Sequence, residues 1–140
     1  MKILVAVDGS KFSKRAIAYL TTHFDMLGRD SQVTLINVHA PIPPHAASTL
    51  GRQTVQAYYK DESEKALKGT RAALTKAGVA FKDVATVGDP ADEVANLATK
   101  GKFDLVIMGS HGHGTFKNLV MGSVATKVLA GCTVPVLIVR

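Results

Sequence analysis

Cysteine is nearly absent from these 140 residues: Cys132 stands alone, so no intrachain disulfide can form. A chain of this length buries roughly two-thirds of its unfolded surface and needs neither disulfide nor metal to hold a core. Long apolar runs are missing too. The first, Ile3 to Val7, is five residues long and ends at Asp8. A secretory signal needs a longer apolar core, and a membrane helix about 20 apolar residues. With the lone cysteine, this predicts a cytoplasmic protein with no membrane partner. There is no basic run of five or more and no aromatic ladder. The net charge of +6 is dispersed among acids such as Asp61, Glu62 and Glu64. Solvated helix faces account for it, and nucleic acid is not an expected partner.

What is present is an alternation of two patterns. Lys2 to Asp8, Gln32 to His39 and Phe103 to Met108 are short, β-branched apolar runs that read as buried strands. Phe81 to Val87 alternates apolar and polar residues, as an outer strand does, and Val134 to Val139 closes the series. Between them lie four helical stretches. Ser10 is the expected N-cap of the first, whose apolar positions run from Phe12 to Leu27 and stop at Gly28. The second spans about Leu50 to Ala77. Asp89 and Pro90 open the third as N-cap and first residue, and Gly122 to Ala130 forms the fourth. Ala40 to Thr49, with Pro41, Pro43 and Pro44, is expected to be irregular. His23 and His45 are expected at the surface, and Cys132 as a small core residue.

Five strands alternating with helices predict one domain over residues 1–140. Its architecture is an α/β, doubly wound, open parallel sheet with helices on both faces. Continuous apolar runs belong in the centre and the alternating strand at an edge, giving order 3-2-1-4-5. The connections then reverse between strands one and four, and a ligand crevice is expected outside their carboxyl ends. Asp8-Gly9-Ser10 and Gly109-Ser110-His111-Gly112 occupy those ends.

The second of these segments carries the chemistry. Gly109 to Thr115 is rich in glycine, and Gly122-Ser123-Val124 opens a helix. Glycines permit positive φ and close approach of backbone N–H groups to an anion. A helix N-terminus adds free donors and a favourable dipole, and Ser110 and Ser123 offer hydroxyls. The combination reads as a phosphate cradle. It is not a Walker loop, because Thr115-Phe116 follow Gly114 where Lys and Ser/Thr are required; Lys117 is the available substitute. Nor does the first strand carry Gly-x-Gly-x-x-Gly. His111 and His113, two apart on a glycine loop without Cys or HExxH partners, make a poor metal site. No elbow motif surrounds Ser10, Ser110 or Ser123, and no base or metal ligands are assembled for phosphoryl transfer.

Gly109, two residues, Gly112, nine residues and Gly122-Ser123 match the pattern Gly-x2-Gly-x9-Gly-[Ser/Thr]. This resembles the nucleotide-binding signature of the universal stress protein family, ATP-binding subclass. The resemblance runs the length of the chain, through Val5 to Ser10, Asn37-Val38-His39, Val87 to Pro90, Asp104 to Gly112 and Pro135 to Val139. It implies that Asp8 bonds the ribose, with Ala6 and Val7 leading into it. Val38 and Met108 would line the adenine pocket. Gly109, Gly112, Gly122 and Ser123 would hold phosphates, with Ser110, His111 and Val124 contributing and Gly114 in the same loop. ATP, or AMP or ADP, would be the cofactor, with Mg2+ accompanying the phosphates. A stress-response regulatory module, acting through a homodimer joined by strand 134–139 and through an unidentified protein partner, is the function implied. The alternatives are a slow ATPase or related adenine-nucleotide hydrolase, and a purely structural dimer. From the residues alone, Asp8 could instead simply cap the first helix.

Overall fold

The computed structural model describes residues 1–114 and 118–140. Its elements are β1 (Lys2–Ala6), α1 (Lys11–Thr22), α2 (Phe24–Leu27), β2 (Gln32–His39), α3 (Pro44–Leu50), α4 (Arg52–Lys76), β3 (Phe81–Val87), α5 (Pro90–Lys100), β4 (Leu105–Gly109), α6 (Ser123–Gly131) and β5 (Val136–Val139). The strands form one sheet of order β3-β2-β1-β4-β5, with every pairing parallel. Among the described residues, no helix is long and apolar enough to cross a membrane.

Residues alternate across each strand, so the apolar run of β1 feeds two cores at once. Ile3, Val5 and Val7 face Ala16, Ile17 and Leu20 of α1 and Leu67 and Leu74 of α4. Leu4 faces the other way, with Ile36, Val106 and Met108, against Val94 and Ala98 of α5 and Ala125 and Val128 of α6. Register fixes this arrangement: Leu4 lies opposite Thr34 on one side and Val106 on the other. Ile3, Leu4 and Val5 are fully buried. Truncating any of them to alanine removes contacts on a face that cannot collapse, at roughly 2–5 kcal/mol for the larger side chains.

Several sequence expectations are corrected. The first helix does not run unbroken to Leu27. It stops at His23, whose backbone N–H and ring Nδ1 both bond the Tyr19 carbonyl while the ring stacks on Tyr19 at 4.1 Å. The short α2 follows and ends at Gly28, φ +99. The proline stretch is not wholly irregular: Pro44 begins α3, because a residue without an N–H fits a helix's first position. The described residues thus hold two short helices beyond the four expected. Strand limits also differ. β1 ends at Ala6, although Val7 N–H still bonds the Ile36 carbonyl at 2.9 Å. β4 begins at Leu105 and β5 at Val136. Phe103 N–H is spent closing the turn after α5, on Ala98 O, and Pro135 has no N–H to give a ladder. His45 is exposed, as expected, while His23 and Cys132 are half-buried.

Candidate functional site

The β1 and β4 chains leave the sheet toward opposite faces, and the crevice opens between their carboxyl ends. Two loops shape it. After β1, the Asp8 carboxylate accepts the Ser10 N–H at 2.8 Å through Oδ1, and Ser10 Oγ accepts the Ser13 N–H to cap α1. Gly9 sits at φ +79, with α4 so close that an added Cβ would lie 3.2 Å from Ala66 Cα. A glycine is required there on both counts. The buried Asn37 amide donates to the Val7 carbonyl at 2.8 Å, locking the end of β2 to this turn.

After β4, Ser110 N–H bonds the Val139 carbonyl of β5 at 2.8 Å, and Gly122 N–H bonds the Ser110 carbonyl at 2.7 Å. The loop therefore leaves the sheet and returns to the same residue, setting the first turn of α6 beside the end of β4. Gly109, Gly112 and Gly122 all lack positive φ, so the conformational reading of this loop is corrected. Space is the reason instead. A Cβ on Gly109 would come within 2.7 Å of Phe12 Cβ, so this glycine lets α1 pack on the strand. One on Gly122 would meet His111 Cα at 3.1 Å. On Gly112 it would meet only Asp8 Oδ2, at 2.9 Å, which places the Asp8 carboxylate directly against the loop.

Together the loops enclose a cleft of about 270 Å³. One wall is apolar: Ala6, Val38 and Met108 from the sheet, and Val124 from α6. The other is polar: Asp8, with Val7 beside it, then Gly109, His111, Gly112 and Gly114, and finally Gly122 and Ser123. Every residue selected from the sequence lines the cleft except Ser110. Its side chain is buried at 2% exposure, with the hydroxyl turned onto the His111 ring. Lys117 lies outside the described residues, as do Thr115 and Phe116.

Sequence reading missed Ile36, Ser13, His113, Pro90, Val94 and Ala125, which also line the cleft. Ile36 was findable, since it shares a strand face with Val38. Pro90 and Val94 come from α5, far along the chain from Asp8 and separated from Gly109 by all of β4, and only packing brings them in. His113 Nε2 donates to the Asp8 carbonyl at 2.6 Å and bridges the two loops.

The electrostatics of the cleft come from a helix end. Gly122 is the N-cap of α6 and supplies no side-chain bond, and no acidic residue occupies the first turn. The amides of Ser123, Val124 and Ala125 therefore point beyond the helix with no intrahelical acceptor. Such an end carries about half a positive charge and suits an anion. Among the described residues, Asp8 is the one carboxylate in the cleft, and no lysine or arginine lines it.

This fold and cleft define an α/β domain with a ligand crevice at the switch point of a parallel sheet. The profile of the universal stress protein family matches residues 1–140, and the chain belongs to that family. It is 32% identical over 139 residues to a universal stress protein of Thermus aquaticus, encoded in the 3′ region of a QAH/OAS sulfhydrylase, with 99% of this chain and 97% of that one covered. Among solved structures, that of MJ0577 from Methanocaldococcus jannaschii superimposes with a TM-score of 0.84 at 27% identity, covering 99% and 94% of the two chains. A universal stress protein in complex with cAMP superimposes with a TM-score of 0.74 at 24% identity, covering 100% and 97%. The fold is shared as well with an Archaeoglobus fulgidus protein solved with dAMP and an Arabidopsis thaliana protein solved with AMP.

Proposed function

We propose that the cleft binds an adenine nucleotide, ATP in particular, and that the protein is a stress-response regulatory module whose state depends on that ligand. One observation carries the reading. The uncapped start of α6 and the Asp8 carboxylate face a single cleft whose opposite wall is the apolar surface of Ile36, Val38 and Met108. A phosphate, a diol and a flat apolar base make those three demands in that order. The base packs against the aliphatic wall, Asp8 accepts from the ribose hydroxyls, and the phosphates take the α6 amides and the Ser123 hydroxyl. Relatives solved with cAMP, dAMP and AMP support the adenine part.

Asp8 is a single carboxylate, so Mg2+ would be held chiefly by the phosphates themselves, in keeping with that ion's habit of binding few protein ligands. The lone Cys132, with no partner for an intrachain disulfide, supports a reducing, cytoplasmic setting. Output runs through protein contacts, beginning with a homodimer. Among the described residues β5 is a sheet edge, paired with β4 alone, its four residues all half-buried, and a parallel edge left bare invites a second chain.

Calorimetric titration tests the site. Wild-type protein should bind ATP, and Asp8→Ala should lose roughly 1–3 kcal/mol of affinity, a charged hydrogen-bond acceptor having been removed. It should also narrow the preference for ATP over inorganic triphosphate. Unchanged affinity with lowered thermal stability would reduce Asp8 to a cap. For the dimer, sedimentation equilibrium giving a single species at the chain mass of 14.8 kDa would overturn the β5 interface.

A further inference from the structure

His111 faces the cleft, yet neither of its ring nitrogens is free to serve a ligand. Nε2 lies 2.9 Å from the Leu119 carbonyl, and Nδ1 lies 2.8 Å from Ser110 Oγ. A carbonyl oxygen only accepts, so Nε2 carries the proton. In the neutral ring Nδ1 must then accept, and the Ser110 hydroxyl is its donor. Ser110 is buried and does not line the cleft, so its hydroxyl is not presented to a ligand as a nucleophile. The ring also rests on Phe12, with centroids 4.9 Å apart.

Each side of this bridge is different in kind. Behind it, Ser110 is fixed by two backbone bonds, to Val139 and to Gly122. Ahead of it, Leu119 and Val120 are 50% and 79% exposed, and so gain little from burial. They lead through Met121, which is partly buried against the α5 and α6 core, into Gly122, the cap of the helix end that meets the anion, so Leu119 and Val120 are the part of this approach without an apolar anchor. A stretch with little apolar burial is held by its polar contacts, and the His111–Leu119 bond is such a contact.

Resting on the nucleotide reading of the cleft, we propose that His111 is a positioning residue rather than a ligand contact: as the neutral Nε2–H tautomer, set by Ser110, it pins the approach to α6 so that the helix amides are preorganised for a phosphate. Preorganised donors cost nothing to orient when the anion arrives, and a loosened approach would lower affinity for the phosphate alone.

The test compares AMP with adenosine, which differ only in that group. Removing one hydrogen bond should weaken AMP binding about three- to tenfold in His111→Ala, leaving adenosine within about twofold. His111→Gln, whose amide can still donate to Leu119, should recover most of the loss. Ser110→Ala, at a residue that does not line the cleft, should weaken AMP and spare adenosine. Nitrogen-15 NMR of the wild-type imidazole should show the Nε2–H tautomer, unchanged by AMP. Equal losses for AMP and adenosine would overturn the proposal, as would an AMP-induced change of tautomer or protonation at His111. Wild-type protein that binds neither compound would instead remove the nucleotide reading, and the positioning role with it.

Discussion

Helices α5 and α6 pack side by side, yet their N-termini are finished in opposite ways. At α5, Asp89 Oδ2 accepts the Asp92 N–H at 3.1 Å, Pro90 fills the first position, and Asp92 and Glu93 place negative charge in the first turn. Lys127 of α6 reaches the same Asp89 carboxylate at 3.5 Å. Every demand of that helix end is met within the protein. At α6 the cap is Gly122, with no side-chain acceptor and no acid in the first turn. A glycine cap costs a helix only about a few tenths of a kcal/mol relative to a side-chain cap, so leaving this end without an acceptor is cheap. Where that end also borders a cleft, the missing acceptor is what a bound anion would supply. The pair teaches how to separate a structural helix start from one reserved for a ligand.

The largest expected effect comes from disturbing the reserved end directly. Gly122→Val places a side chain 3.1 Å from His111 Cα and 3.2 Å from the Ser110 carbonyl, both backbone atoms that must shift. Overpacking of this kind costs roughly 1–3 kcal/mol of stability. ATP affinity should fall at least tenfold, about 1.4 kcal/mol. Denaturant titration and calorimetry on the same variant measure the two. Affinity intact in the folded variant would mean that α6 does not meet the ligand.

Ser123→Glu sharpens the comparison by giving α6 what α5 already has. An acid in the first turn should stabilise the helix by about 0.3–1 kcal/mol while repelling a phosphate. Stability rising as ATP affinity falls is the expected signature. A parallel change in both would place the ligand elsewhere.

Gly112→Ala is milder. Its added methyl meets only the carboxylate oxygen at the end of the Asp8 side chain, at 2.9 Å, and no backbone atom. Stability should change by less than about 1 kcal/mol, as for surface changes that strain no backbone. Affinity should drop several-fold as Asp8 is displaced. Unaltered binding of ATP would argue that Asp8 does not touch the ribose.

The smallest effect is a pH dependence confined to the capped end. The hydrogen bond from the Asp92 N–H, with Lys127 adding to it, holds the Asp89 carboxyl below its ordinary value of 3.8. A folded-state value below the unfolded one means stability that is present above pH 3.8 and lost as pH falls through the lower folded value. Acid unfolding of wild type and Asp89→Asn should therefore converge at low pH and separate above it. ATP affinity near neutral pH should be the same in both, because Asp89 does not line the cleft.

Much of this is legible in the sequence. The buried runs of β1 and β4 and the alternation of β3 point to the strand order, and Asp89-Pro90 marks a helix start, because each is a local signal with one geometric meaning. The spacing of Gly109, Gly112 and Gly122 marked the loop. Positive φ is not the reason for these glycines: it belongs to Gly9 in the facing turn, while Gly109, Gly112 and Gly122 make room for Phe12, Asp8 and His111. Proline alone suggested irregularity for Ala40 to Thr49, whereas Pro44 in fact begins a helix.

By itself the sequence determined the α/β alternation, the central and edge strands, and the two segments that flank the crevice. These depend on hydrophobic period and turn chemistry, which are properties of neighbouring residues. Tertiary structure alone decided that Val94 of α5 would wall the cleft, that Ser110 would turn away from it, and that His111 would be consumed by Leu119 and Ser110. Those outcomes depend on how separate elements approach one another, and no local pattern encodes a distance between residues that meet only when the sheet is packed.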